Sequence, residues 1–337
     1  MVLYNVSCKR DEIQSPRISE VHEVQFETTK IWDSASHNAF TDLIRYQEYF
    51  YATFREGTGH VPREDNTGDG MIRIIRSKDG TDWESVALIR EEYWDLRDPK
   101  LSITPDGRLM VLMGGSDYFG LEMRRRVPHV SFSEDGKKFS GPIPLKFDKR
   151  VSSPWNWVWR VTWHQNMGYG VTYQVVPVGD SSLVYLLRTS DGINYEPVTQ
   201  LKLDGLPNEA TIRFDENDQM YIVIRRERKD QEGYIGYSKA PYKDWTWNSL
   251  GMRLGGPDFL FVPDGTIMMG TRIYTDEEYY TGLFKVDSDG NTREIYRFPS
   301  GGDTSYPGMV WENDTLYVSY YSSHEGKTAI YLARLTW

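Results

Sequence analysis

A six-bladed all-β propeller, with four-stranded antiparallel blades, is the fold class this 337-residue chain predicts. Three observations carry that prediction. β-rich or alternating runs fill the chain, and no long segment keeps a helical period. Short Asp-Gly turns recur at a fixed spacing, which marks a repeat architecture. The runs fall into groups of four, and the one short group can borrow a strand from the other end of the chain.

The turns come first because they set the frame. "SKDGTDW" from Ser77, "SEDGKKF" from Ser133 and "TSDGINY" from Thr189 carry Asp79, Asp135 and Asp191, each 56 residues from the next. In each, the Asp can accept backbone N–H bonds, the Gly supplies positive φ, and an aromatic three residues on covers the turn. These are structural staples between outer strands.

Between them the strand runs group as 38–90, 96–147, 157–203, 208–253, 256–298 and 304–337. The first group opens with "DLIRYQEYFYATF" and "MIRIIRS", the second with "LSITPDGRLMVLM", and the fourth pairs "ATIRF" with "MYIVIRRE". Pro105-Asp106-Gly107, Pro263-Asp264-Gly265 and Asn313-Asp314 supply the hairpin turns. The last group has three strands, and "VHEVQFE" at 21–27 is the expected fourth, closing the ring within one domain. Five blades with an appended hairpin is the competing arrangement.

Composition narrows the function. A net charge of -10 argues against nucleic-acid binding, which needs a basic footprint. No apolar run approaches the roughly 20 residues that span a bilayer, and "MVLYNVSCKRDEIQ" shows no secretory h-region, so a cytoplasmic location is expected. Cys8 is the only cysteine, which excludes an intrachain disulfide and a Cys-based metal site. None of the six histidines shows zinc-type spacing, so neither metal nor cofactor is expected, a composite of His37, His60 and His324 being the one alternative. The 23 Tyr and 11 Trp suit both sheet packing and stacking on sugar rings.

In a propeller the inner-strand starts and the loops between second and third strands meet at one axial mouth. The starts carry His37 and Asp42, Arg97 and Asp98, Arg160, Asn208 and Glu209, Asp258, then Asp303 and Tyr306. The loops carry Arg55, Glu56 and His60, then Arg124 to Arg126, Arg225 to Glu227, Arg272 and Tyr274, and Tyr320 to Glu325 with His324. Arginines gathered beside carboxylates are costly to bury and match anionic groups of a ligand. An anionic carbohydrate is the partner this pattern implies.

The repeated Asp-Gly turns and "NEATIRFDENDQMYIVIRRE" resemble the sialidase (neuraminidase) superfamily of Asp-box propellers. The resemblance implies a glycoside hydrolase with Tyr306, in "DTSYPGMV", as nucleophile and Glu209 as the residue that polarises it. It also implies that Arg225 and Arg272 belong to a substrate-binding arginine triad. Covalent catalysis by a Tyr–Glu pair suits a substrate that itself carries a carboxylate. Asp69, ahead of the first Asp box, is the implied acid/base, with Glu56 and Asp98 as rivals. The chain departs from the pattern where the first triad Arg belongs. That place reads "HNAFTDLIRY", so Arg55 or Arg97 would have to substitute, and the chain reads as a divergent sialidase-like family. A lyase using Tyr306 with His60 or His324 on a uronate, and a non-catalytic sugar-binding propeller, are the alternatives. A Glu beside the Tyr306 hydroxyl favours the hydrolase; a His there favours the lyase.

Overall fold

The computed structural model describes residues 25–60, 69–174 and 183–336. Six sheets follow one another along the chain, and their inner strands are His37–Tyr46, Trp94–Ile103, Asn156–His164, Pro207–Phe214, Asp258–Phe261 and Thr304–Glu312. Each inner strand adjoins the next, and the sixth adjoins the first, so the ring closes. Gln25–Trp32 forms the outermost strand of the last blade, antiparallel to Ala329–Thr336. This is the six-bladed propeller the sequence predicts, with its terminal closure. Of the run expected at 21–27, residues 21–24 lie outside the described residues.

One boundary shifts. Lys146–Phe147, assigned above to the end of the second blade, pairs parallel with Asn194–Tyr195 and adds a fifth strand to the third. The second blade ends instead at the two-residue strand Ile143–Pro144.

The blades hold together because strand side chains alternate between two buried faces. "LMVLM" at 109–113 shows the pattern. Leu109, Val111 and Met113 pack with Ile72 and Ile74 of the first blade, while Met110 and Leu112 pack with Val158 and Leu187 of the third. A continuous apolar run is therefore what a middle strand needs here.

The three Asp-Gly turns join third to fourth strands, away from the inner-strand starts. Asp79 accepts from the Thr81 amide at 2.8 Å, and the Gly80 amide donates to Ser77 Oγ at 2.8 Å. Asp135 and Asp191 repeat the arrangement with the amides of Lys137 and Ile193.

At the other ends of the blades, the inner strands of the first four blades and of the sixth carry a register shift within their first residues. Phe40, Asp98 and Tyr306 take positive φ within three of these bulges. A bulge re-aims a side chain next to the axis at the cost of local strain, and such strain concentrates at functional sites.

Candidate functional site

Glu209 lies in the bulge of its inner strand, between the paired positions Pro207 and Ala210. The neighbouring strand, Met220–Arg226, runs antiparallel and brings Arg225 alongside. Arg225 Nη1 donates to Glu209 Oε2 at 2.9 Å, and the Gly256 amide donates to the same oxygen at 2.6 Å. Tyr306 Oη donates to the other oxygen, Oε1, at 2.8 Å. The Tyr306 bulge is held by Thr41 Oγ1, which donates to the Tyr306 carbonyl at 2.7 Å, and by Ser305 Oγ, which donates to the Gly255 carbonyl at 2.7 Å.

Gly256 is required by geometry. Its φ is +60°, and a Cβ there would stand 2.7 Å from the Tyr306 ring. Only glycine lets the backbone approach closely enough to donate to Glu209.

The electrostatics separate the roles of the two groups. Burial raises the Glu209 carboxyl, but the adjacent Arg225 and the hydrogen bonds from Tyr306 and Gly256 outweigh it and hold the pKa below its usual value. Burial, reinforced by the Glu209 charge, pushes the Tyr306 phenol well above its ordinary range despite Arg225 and Arg272. The pair at rest is a phenol donating to a carboxylate.

Tyr306 and Glu209 line a cavity of about 310 Å³ at the mouth, with Phe40, His60, Arg97, Asp98 and Arg126. Tyr173, Gln174, Asn208, Arg225 and Glu227 complete its polar lining. Asp98 is raised above the usual Asp value by burial, against the opposing pull of Arg97 and Lys100. Arg97 stands 3.7 Å from both Asp95 and Asp98 and donates to the His60 carbonyl at 3.1 Å. Arg225 is shared between Glu209 and Glu227. Arg126 lies over the Trp157 ring at 4.6 Å and, among the described residues, pairs with no carboxylate.

Several residues expected at the mouth serve elsewhere. Arg55 is fully buried, with Nε and Nη2 on Asp95 Oδ1 at 3.0 and 2.7 Å and Nη1 on the Gly59 carbonyl, so it does not replace the missing triad Arg. Asp69 accepts from the Thr58 amide at 2.8 Å and lines a different groove, with Glu91 and Trp94. Glu56 is bound by the Trp32 indole at 2.7 Å and by Arg73. Neither carboxylate lines the Tyr306 cavity, and Asp98 does. Arg272 also stays out of the lining. It donates to the Thr304 carbonyl at 2.6 Å and to Tyr321 Oη at 2.7 Å, and its guanidinium backs the Tyr306 ring at 5.6 Å. His324 bonds Ser322 Oγ at 2.9 Å, outside the lining.

Asp42, Arg160 and Asp258 form a separate buried network across inner strands. Arg160 Nη1 donates to both Asp42 oxygens at 2.9 Å, and Nη2 stands 3.3 Å from Asp258, which also pairs with Arg213 at 2.7 Å. Lys100 joins them, pulled down to about 8 by burial, and its ammonium lies 5.8 Å from the Tyr306 ring. These are supports of the site, and a ligand in the cavity does not meet them.

Tyr173 and Phe40 are absent from the residues the sequence singles out, and Arg126 stands there only as part of a basic loop. Tyr173 offered a signal, since it stands one residue before the end of the second strand of its blade, as Arg225 does in the fourth. Phe40 gave none, because its place at the mouth depends on the bulge.

No protein-family model and no curated protein sequence matches the chain. Solved structures do. A Dyadobacter fermentans protein of unknown function superposes with a TM-score of 0.80 at 19% identity, over 93% of this chain and 99% of the other. The Penicillium chrysogenum alpha-L-arabinanase, solved with arabinobiose, gives 0.68 at 15% identity over 90% and 97%. The Trypanosoma rangeli sialidase, solved with an inhibitor, gives 0.68 at 12% identity, over 91% of this chain and 57% of the sialidase. The chain thus shares its propeller fold with sialidases and arabinanases.

Proposed function

We propose that the chain is a retaining glycoside hydrolase acting on an acidic sugar, with Tyr306 as nucleophile. The observation that carries this reading is the 2.8 Å hydrogen bond from Tyr306 Oη to a buried Glu209, whose second oxygen is held by Arg225 and Gly256. A Glu and not a His bonds the hydroxyl, which favours a hydrolase over a lyase. As Tyr306 Oη bonds to the anomeric carbon, its proton passes to Glu209, and the glycosidic C–O bond breaks. Asp98, whose pKa burial raises, gives its proton to the leaving oxygen. Water then attacks the anomeric carbon with the Asp98 carboxylate as base, and Tyr306 recovers its proton from Glu209.

The cavity lining supports an anionic substrate. It holds three guanidiniums (Arg97, Arg126 and Arg225) against Asp98, Glu209 and Glu227. Arg126, which pairs with no carboxylate among the described residues, is the cation left for a substrate carboxylate. A neutral pentose is the second reading. It is favoured because Arg225 and Arg272 are already engaged within the protein.

Tyr306→Phe tests the mechanism. Turnover of aryl glycosides should fall to background while the fold and sugar binding persist. A 2-fluoro glycoside should also add its sugar mass to the Tyr306 peptide of the native chain. Undiminished activity in Tyr306→Phe would remove covalent catalysis. Sialosides, uronides and L-arabinosides tested side by side decide between the acidic and the neutral sugar.

A further inference from the structure

His37, His60 and Asp303 come together from three separate stretches of the chain, with His60 on the cavity lining. His37 opens the first inner strand, His60 follows the second strand of the same blade, and Asp303 immediately precedes the last inner strand. Their donor atoms all lie within 4.8 Å of one another. His37 Nε2 is 3.0 Å from Asp303 Oδ2, and His60 Nδ1 is 3.6 Å from Asp303 Oδ1. Two ligands each about 2.1 Å from one ion stand roughly 3.4 Å apart at a tetrahedral angle. The two histidine–carboxylate separations, each to its own oxygen of Asp303, lie on either side of that value.

We propose that His37, His60 and Asp303 bind a divalent transition-metal ion, with zinc the best fit, at the rim of the sugar cavity.

The chemistry of the donor set favours this over a plain ion-pair cluster. Two imidazole nitrogens and one carboxylate oxygen suit zinc and its neighbours, and three protein ligands leave a position for an outside ligand. The supporting shell is in place. Tyr321 Oη donates to Asp303 Oδ1 at 2.9 Å and is itself bonded by Arg272 Nη2 at 2.7 Å. Hydrogen-bonded partners of this kind orient metal ligands. Both rings are also set by packing. His60 meets Phe40 edge-on at 5.1 Å, and His37 stands 5.5 Å from His60.

His37 is buried, whereas the His60 side chain is 45% exposed and lines the same cavity as Tyr306. The open side of the ion therefore faces the cavity, where a sugar hydroxyl or carboxylate oxygen can complete its coordination. Sequence spacing could not expose this site, since His37 and Asp303 lie 266 residues apart.

The test is a calorimetric titration of the full chain, stripped with chelator, with zinc chloride. One zinc per chain is expected, and cobalt in its place should give the visible absorption of a four- or five-coordinate ion. His60→Ala and Asp303→Asn should weaken zinc binding by about 100-fold or more. His164→Ala, which removes a histidine paired with Asp218 and far from the three ligands in the blade plan, should leave it unchanged. Should His37→Ala fail to fold, the exposed His60 variant still decides the matter. No binding by the native chain, or equal binding by His60→Ala and Asp303→Asn, would overturn the site. The readout is metal binding, so it stands apart from any glycosidase activity.

Discussion

Replacing Arg225 by methionine isolates the charge that holds Glu209 ionised. Both residues are largely buried, with side-chain exposures of 12% and 9%, so solvent screens the pair little. Removing one partner of a buried ion pair costs about 3–5 kcal/mol, because the other charge is left without its counterion. Here Glu209 keeps hydrogen bonds from Tyr306 and Gly256, and Glu227 keeps Arg253 at 2.9 Å. The loss should therefore fall near the lower end, about 3 kcal/mol at pH 7. The pH dependence follows from the sign of the shift. Glu209 is depressed in the folded chain below the usual Glu value of 4.5. Its contribution to stability is thus fully present above that value and is lost as pH falls through the folded pKa. The difference between native and variant chains should be largest near neutrality and shrink as Glu209 is protonated. Urea unfolding at pH 7 and at pH 4 measures both numbers. The pH–rate profile should respond as well. Catalysis needs Glu209 ionised, so its acidic limb should move to higher pH in Arg225→Met and return part of the way in Arg225→Lys. A loss below about 1 kcal/mol, with the acidic limb unmoved, would refute the reasoning.

Other outcomes follow from the same geometry. Asp98→Asn should slow hydrolysis of substrates with poor leaving groups by roughly 10²–10⁴-fold, while activated aryl glycosides react almost as before. Because burial raises the Asp98 pKa, the alkaline limb of the native profile should report its ionisation and vanish in that variant. Arg126→Met should raise KM for an acidic glycoside by 10-fold or more, as a charge-assisted bond of about 1.5–3 kcal/mol is lost, and leave a neutral one unchanged. Equal effects on both would end the proposed role for Arg126. Arg160→Met should destabilise the chain by about 3–5 kcal/mol through Asp42 and Asp258, measured by denaturant midpoint, with sugar binding by the folded fraction retained.

Much of the fold was readable because its determinants are local. Ser77, Asp79, Gly80 and Trp83 close their own turn, and the alternation of "LMVLM" reports two buried faces without knowledge of the partners. The Glu209–Arg225 pair was equally legible, since a hairpin brings them together whatever the other blades do. Lys146–Phe147 was misplaced because a two-residue parallel pairing leaves no periodic trace.

The arginines divide along a different line. Arg55, Arg97, Arg126, Arg160, Arg225 and Arg272 are one residue type at similar places in a repeated plan, and composition treats them alike. Their partners set them apart. Asp95 claims Arg55, Asp42 and Asp258 claim Arg160, and the Thr304 carbonyl and Tyr321 claim Arg272. Arg126 is left facing the cavity. Sequence alone determined the propeller and its closure, because turn chemistry, strand alternation and a repeated blade plan act over short distances. Only the tertiary structure decided which charges are already neutralised, which carboxyl burial raises, which acid meets the Tyr306 hydroxyl and which histidines meet Asp303. Those properties are sums over neighbours from several blades, and desolvation and Coulomb interaction depend on distance in space, not along the chain.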